Sequence, residues 1–234
     1  MAEIVKKLPK SRELVSRSWS AYKSNWRVFW KYLWLLTLGS VAATILLSIE
    51  QLAIVGFLLA IGVAIYGVWV SIVLTRISYQ TMENNKLNEK MALDNAWGRF
   101  WPVVGVGIVT GLVTFAGFMA FIVPGIVVGL MYFAAKYGVI IDNQKVHEAI
   151  YKSVELTRGR KMNLFWTLLW AYVIVGLIGL VMVIVLILIA SAIQPAIGVS
   201  EYFVTQVPLS IAEMLFLPWA LGIATGVYLA LKKA

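Results

Sequence analysis

Two charged residues stand inside otherwise apolar stretches of this sequence, and they are the first candidates for chemistry. Lys136 lies in an apolar run that ends at Ile141, and Glu213 lies in the last apolar run of the chain. A charged side chain within a membrane span is costly and often marks a transport route or a binding site. Both residues are therefore candidate functional polar residues.

Each of these charges also has a structural explanation. Asp142 follows Lys136 by six residues, which is about 9 Å along a helix and within reach of a long side chain that snorkels towards the interface. Glu213 precedes Lys232 by 19 residues, or about 28 Å of helix, which places it near the outer membrane boundary. The structural explanation is favoured for both, and proton coupling or cation binding stays open for Glu213.

Residue types that enzymes use in recognisable patterns are scarce. The chain has no cysteine and a single histidine, His147, so thiol nucleophiles and thiolate metal sites are excluded. One histidine cannot form a metal cluster by itself. The HExxH, Gly-x-Ser-x-Gly, P-loop and Rossmann glycine patterns do not occur. The sequence therefore predicts no catalytic residue, no cofactor and no metal site.

The composition indicates that these residues lie in lipid. The 234 residues are 61% hydrophobic and 13% charged, against roughly 25% charged in soluble domains. About 20 apolar residues cross a bilayer as a helix. Six runs approach or exceed that length: 33–49, 52–75, 103–123, 125–141, 164–193 and 211–231. The sequence predicts an all-α integral membrane protein with six transmembrane helices in three hairpins.

The basic residues fall on one side of this predicted topology. The connections after the first, third and fifth spans contain no Lys or Arg, whereas both ends of the chain and the other two connections do. Lys and Arg concentrate in cytoplasmic loops. The pattern predicts cytoplasmic termini in a plasma membrane, and the net charge of +9 then needs no nucleic acid to explain it.

The dipeptide Phe-Trp recurs where a basic segment enters each odd-numbered span. Apolar residues at spacings of three and four around each dipeptide predict a cytoplasmic interfacial amphipathic helix with its aromatic side towards lipid. The predicted lipid contacts are Trp19, Trp26, Phe29, Trp30, Trp97, Phe100, Trp101, Phe165 and Trp166, with Arg17, Arg27 and Lys31. We interpret residues 1–75, 76–141 and 142–234 as three pseudo-repeats of a single membrane domain. The alternative is an ordinary tryptophan belt.

Small and hydroxyl-bearing residues in the predicted spans are interpreted as packing residues. Glycines four residues apart let helices approach closely, within one chain or between two copies. Three such pairs occur: Gly107 and Gly111, Gly125 and Gly129, and Gly222 and Gly226. The hydroxyls are expected to bond to their own backbone: Thr37, Ser40, Thr44, Ser48, Thr110 and Thr114.

One stretch resembles a known family. Residues 123–126 read Val-Pro-Gly-Ile, residues 137–142 end a span with Asp142, and residues 148–159 contain Glu-Ala-Ile-Tyr-Lys-Ser followed by Leu-Thr-Arg-Gly. The pattern resembles the membrane domain of glycerophosphoryl diester phosphodiesterases and its stand-alone prokaryotic relatives. The resemblance implies a six-span bundle in a prokaryotic plasma (inner) membrane and no settled activity. The phosphodiesterase barrel of some members has no room here, so its activity does not carry over.

Three functional hypotheses follow. The first is a non-enzymatic membrane module that binds the anionic cytoplasmic leaflet or a partner protein through basic, aromatic helices. The second is a transporter or channel for a small solute or lipid, and the third is a lipid head-group enzyme. A water-filled cavity lined by both Lys136 and Glu213 would favour transport, whereas a solid core would favour the module. The ligand, the oligomeric state and the place of residues 202–210 stay open.

Overall fold

The computed structural model describes residues 8–83, 87–197 and 201–233, and this part of the chain is almost entirely helical, without strands. The α-helices are α1 (Ser11–Ser24), α2 (Trp26–Leu47), α3 (Ala53–Met82), α4 (Glu89–Ala120), α5 (Ile122–Tyr132), α6 (Ala135–Ile141), α7 (Val146–Thr157), α8 (Lys161–Ile197) and α9 (Glu201–Lys233). A short 3₁₀ turn, Glu50–Leu52, precedes α3. The predicted all-helical fold is confirmed.

Six segments of the described chain are long and apolar enough to cross a membrane. They are Trp26–Leu47, Glu50–Met82, Glu89–Ala120, Ile122–Ile141, Lys161–Pro195 and Val204–Lys233. Their number matches the prediction and indicates a multi-pass membrane protein. Residues 202–210 are part of α9, which runs through Pro208 and Pro218, so the last span has no separate preceding piece.

The helices that precede the first and third spans differ. Asn25 separates α1 from α2, whereas α4 runs without interruption from Glu89 through Pro102. The separate interfacial helix predicted before the third span is therefore wrong, because its residues form the first turns of the spanning helix. The side chain of Asn88 accepts a hydrogen bond from the backbone N–H of Met91 at 2.9 Å, and this cap fixes where α4 begins.

The turn between α4 and α5 lies earlier than its proline and glycine suggest. The reversal occurs at Phe121, whose backbone is extended (φ −166°, ψ 161°). Pro124 falls in the first turn of α5, where a missing N–H costs nothing because those amides have no helical acceptor. A Cβ on Gly125 would collide with the ring of Phe118. The Pro-Gly pair therefore lies in the first turn of α5, where Gly125 lets this helix approach α4.

Ion pairs join the ends of several helices at one end of the bundle. In the described part they are Lys31 with Glu89 at 2.6 Å, Lys232 with Asp142 at 2.8 Å, and Lys233 with Glu83 at 2.7 Å. The starts of α2 and α4 therefore lie beside the ends of α3, α6 and α9. We call this the basic end of the bundle.

Helix α1 lies against the spanning helices near the basic end. The indole N–H of Trp219 on α9 donates to the backbone carbonyl of Val15 at 3.1 Å. A Cβ on Gly226 would lie 3.3 Å from Leu14 Cδ2, and one on Gly222 would lie 3.2 Å from Ser18 Cβ. The small residues of α9 thus make room for α1, whose apolar face contacts protein where the sequence predicted lipid.

The fourth span is interrupted between α5 and α6, and α7 bridges the interruption. The hydroxyl of Ser153 donates to the carbonyl of Met131 at 2.7 Å and accepts from the N–H of Ala134 at 3.1 Å. The hydroxyl of Thr157 lies 3.4 Å from the same Met131 carbonyl. Broken helices inside a membrane protein need such partners, because lipid offers no hydrogen bonds. The buried face of α7 therefore packs against the fourth span at this interruption.

Candidate functional site

Lys136 lies on α6 beside a cavity of about 450 Å³ between α3, α4 and the α5–α6 span. Its Nζ lies 3.4 Å from the hydroxyl of Ser71. The expected partner, Asp142, instead accepts hydrogen bonds from Tyr228 at 2.7 Å and Lys232 at 2.8 Å. The predicted pairing of Lys136 with Asp142 is therefore wrong, because α9 takes that carboxylate.

Glu213 lies in a different cavity, between other helices. It is exposed and lines a groove of about 400 Å³ between α2 and α9, together with Thr37, Ser40 and Ser210. This groove and the Lys136 cavity have no lining residue in common. Lys136 and Glu213 therefore line two separate cavities, and neither of these two is the single cavity that would favour transport.

Most hydroxyls of the spans are occupied by their own helices, as predicted. Five of them donate to the backbone carbonyl four residues earlier, at distances between 2.7 and 3.1 Å. These are the hydroxyls of Thr37, Ser40, Thr44, Ser48 and Thr110. A hydroxyl used in this way keeps little capacity for a ligand. The polar lining of the Glu213 groove is therefore weaker than its residue types suggest.

Two arginines converge on one residue at the basic end. Arg76, at the end of α3, donates from Nη2 to Oδ1 of Asn143 at 2.9 Å. Arg99, on α4, donates from Nη1 to the backbone carbonyl of the same Asn143 at 3.0 Å. Asn143 follows α6 and has a left-handed backbone with φ 58°, a conformation that asparagine tolerates. We call Arg76, Arg99 and Asn143 the arginine site.

The arginine site carries positive charge without a bound carboxylate. Arg76 is 7% exposed, and its Nε has no hydrogen-bond partner. The ion pairs of the described chain are all formed by other residues. A buried guanidinium normally has an anionic partner. Sequence inspection placed Arg76 and Arg99 only as topology signals and missed this convergence.

Tryptophans surround the basic end on its outer face. The tryptophans predicted to contact lipid are all more than a third exposed: Trp19, Trp26, Trp30, Trp97, Trp101 and Trp166. Phe165 is half-buried, whereas Phe29 and Phe100 are buried at 1% and 8% exposure. Consecutive helix residues point about 100° apart. In the first two Phe-Trp pairs, therefore, the tryptophan faces outward and the phenylalanine faces the core.

Two further exposed tryptophans belong to the same surface and were missed in the sequence. Trp34 and Trp170 are about half exposed, and each lies four residues after a Phe-Trp dipeptide. Trp97 and Trp101 have the same spacing on α4. Residues four apart lie on one helix face, so this spacing was the available signal. We call Trp30, Trp34, Trp97, Trp101, Trp166 and Trp170 the tryptophan collar.

The predicted basic contacts lie near the first pair of the collar. Arg17, Arg27 and Lys31 are exposed, and the guanidinium of Arg27 lies 5.6 Å from the ring centroid of Trp26. His147 is exposed in the first turn of α7. Among the described residues no group of His, Asp and Glu is suited to hold a metal ion.

The three glycine pairs have different surroundings. Gly222 and Gly226 receive α1, and Gly125 and Gly129 face α4, where a Cβ on Gly129 would lie 3.5 Å from Thr114 Cγ2. Gly107 and Gly111 face open space, because no atom lies within 4 Å of a Cβ built on either. The expected packing within the chain does not apply to the Gly107 pair.

Comparison of the chain with protein-family models, with curated proteins and with solved structures finds no match. Function therefore has to be inferred from the residues and their geometry. The arginine site and the tryptophan collar are the two features that offer a ligand something specific, and both lie at the basic end.

Proposed function

We propose that this chain is a non-catalytic membrane module that binds anionic lipids at the cytoplasmic leaflet, with the basic end and both termini on that side. The observation that carries the proposal is the tryptophan collar, which presents three pairs of exposed indoles on α2, α4 and α8. Indole rings favour the boundary between hydrocarbon and head groups, because one edge is apolar and the other donates a hydrogen bond.

The basic side chains supply the attraction to anionic lipids. Arg27 and Lys31 are exposed on the first turns of α2, and Arg17 is exposed on α1. Each Lys or Arg near an anionic surface contributes about 1 kcal/mol of attraction. The contacts between consecutive helices, α2 with α3, α4 with α5 and α8 with α9, support an interpretation as three hairpins that each present one face of the collar.

The resemblance to the membrane domain of glycerophosphoryl diester phosphodiesterases is compatible with this proposal. That resemblance implies a prokaryotic inner membrane, in which the cytoplasmic leaflet provides anionic head groups. Transport finds less support, because Lys136 and Glu213 line separate cavities. A head-group enzyme would need a nucleophile or an acid–base pair, and none is recognisable in the sequence.

The test compares lipid retention in two triple variants of the full chain. After gentle detergent extraction, native mass spectrometry counts the phosphatidylglycerol molecules that stay bound. We expect the variant that combines Arg17→Gln, Arg27→Gln and Lys31→Gln to bind fewer phosphatidylglycerol molecules, relative to the number of phosphatidylcholine molecules that it binds. The matched control changes Arg12, Lys152 and Arg158 to Gln, which removes the same charge from exposed positions outside the first turns of α2.

Two outcomes would contradict the proposal. Equal losses of phosphatidylglycerol in both triple variants would show that net charge alone, without the collar, determines lipid binding. Solute flux through reconstituted vesicles that disappears in Glu213→Gln would identify a transporter instead.

A further inference from the structure

We propose that the arginine site binds the phosphate group of one phospholipid molecule, held between α3, α4 and the end of α6. This site is distinct from the tryptophan collar and takes a single ligand, whereas the collar contacts lipid in general. The lipid identity of the ligand rests on the proposed function, and the phosphate chemistry rests on the site alone.

Arg76 carries the first part of the inference. Its guanidinium has five N–H donors, yet among the described residues it forms one hydrogen bond, to the neutral amide oxygen of Asn143, and its Nε has no partner there. The residue is 7% exposed, so few solvent molecules can reach its remaining donors. A group with several anionic oxygens would satisfy these donors and would neutralise a charge that is otherwise buried without compensation.

Arg99 carries the second part. Both guanidiniums reach Asn143, one at its side-chain oxygen and one at its backbone carbonyl. Two like charges that contact the same residue repel each other, and an anion between them would relieve that repulsion. Arginine presents a planar set of donors that matches phosphate oxygens in a bidentate arrangement. The pair is therefore suited to a phosphate.

Three carboxylates at the basic end are paired with other residues. Asp142, the neighbour of Asn143, accepts from Tyr228 and Lys232 on α9. Glu83 and Glu89, at the end of α3 and the start of α4, pair with Lys233 and Lys31. Within the described chain neither arginine forms an ion pair with an acidic side chain, so an anionic ligand would supply the missing negative charge.

Asn143 lies where a ligand would enter the arginine site from solvent. It is exposed and lies in the short connection between α6 and α7. Its amide oxygen occupies the position that a phosphate oxygen would take on Arg76. An exposed side chain can turn outward without disturbing the helices, so a phosphate oxygen can replace the amide oxygen.

The Lys136 cavity favours a lipid over a free phosphate. Val103 and Ser71 line this cavity, and they lie four residues from Arg99 and five residues from Arg76. Those separations correspond to about 6 and 7.5 Å of helix. The cavity therefore begins on the membrane side of the arginines, where the hydrocarbon of a bound phospholipid would lie. The ammonium of Lys136 adds positive charge on that side.

The experiment uses the full chain, stripped of lipid in an uncharged detergent, and titrates it with phosphatidic acid or with inorganic phosphate. Binding is measured by native mass spectrometry and by the shift in unfolding temperature. Loss of one charge-assisted contact is expected to weaken phosphatidic acid binding roughly tenfold in Arg99→Gln. Arg76→Lys keeps the charge, removes the planar fork, and is expected to weaken binding as well.

Arg12→Gln is the control, because Arg12 is exposed on α1 outside the site, and it should bind as the unaltered protein does. Arg99 is partly exposed, so the Arg99→Gln variant should fold. Its unfolding temperature without ligand then measures any structural effect separately from the effect on binding. Phosphatidic acid binding that depends on Arg99 supports a lipid ligand, and inorganic phosphate binding with the same dependence supports a free phosphate. Equal binding of both probes by Arg99→Gln, Arg76→Lys and the unaltered protein would overturn the site.

The proposal for the arginine site and the proposal for the tryptophan collar can fail independently of each other. The collar proposal fails if the Arg17, Arg27 and Lys31 triple variant retains phosphatidylglycerol like its control, whatever Arg99→Gln does. The arginine site fails if Arg99→Gln and Arg76→Lys bind both probes as the unaltered protein does, whatever the triple variant does.

Discussion

Helices α8 and α9 are consecutive in the chain and packed against each other, yet their surroundings are opposite. Only 6% of the most apolar stretch of α8 is buried inside the protein, against 56% for α9. The more apolar of the two helices is thus the more exposed one. In a water-soluble protein the order would be reversed, because apolar burial stabilises the core there.

The difference teaches which residues define a core in lipid. Hydrocarbon is as apolar as leucine, so hydrophobicity does not select protein contacts over lipid contacts. Small and hydrogen-bonding residues select them instead. On α9 these are Gly222, Thr225, Gly226 and Tyr228, whereas the outward face of α8 is dominated by Leu, Ile and Val.

The largest expected effect comes from truncating an aliphatic side chain on each helix. Ile223 on α9 is fully buried, and Ile223→Ala should lower the free energy of unfolding by about 3 kcal/mol through lost packing and a residual cavity. Leu180 on α8 is 56% exposed, and Leu180→Ala should change it by less than about 0.5 kcal/mol. Unfolding by sodium dodecyl sulphate in mixed micelles measures both, and equal losses would mean that a partner covers α8.

A smaller effect is expected from adding a side chain to a glycine on each helix. Gly226→Leu should destabilise the protein by about 2 kcal/mol, because the new atoms meet Leu14 and force α1 to move. Gly176 on α8 has open space at its Cβ position, so Gly176→Leu should be neutral. Thermal unfolding followed by circular dichroism distinguishes them. A neutral Gly226→Leu would show that α1 is not docked on α9.

The smallest effect is expected from removing a tyrosine hydroxyl on each helix. Tyr228 on α9 donates a hydrogen bond to Asp142 at 2.7 Å. Tyr228→Phe should lower the free energy of unfolding by about 1.5 kcal/mol, because it removes a hydrogen bond to a charged group. The hydroxyl of Tyr172 on α8 lies 3.4 Å from the Ala220 carbonyl, and Tyr172→Phe should have no measurable effect. The same unfolding assay applies, and the reverse order would contradict the roles given to the two helices.

The sequence predicted the six spans because bilayer thickness sets the length of an apolar helix. Their direction through the bundle agrees with the distribution of Lys and Arg, since Lys31, Arg76, Arg99 and Lys232 all lie at the basic end. The tryptophans of the Phe-Trp dipeptides were predicted as exposed for a similarly local reason, which is their position at the ends of apolar runs.

The arginine site could not be predicted, because its residues are distant in the sequence. Arg76 and Asn143 are 67 residues apart, and Arg99 and Asn143 are 44 apart. The pairing of Asp142 with α9 spans 90 residues, to Lys232. Helix periodicity reports the neighbours within one helix, whereas these contacts depend on how separate helices pack.

The interruption of the fourth span was equally hidden, since residues 131–135 contain neither proline nor glycine. Its stabilising hydroxyl comes from Ser153, which is synthesised later than the span itself. When a growing chain has delivered only α5 and α6 to the membrane, Met131 and Ala134 still lack that partner. These two hydrogen bonds can therefore form only after α7 has been synthesised and has packed against α5 and α6.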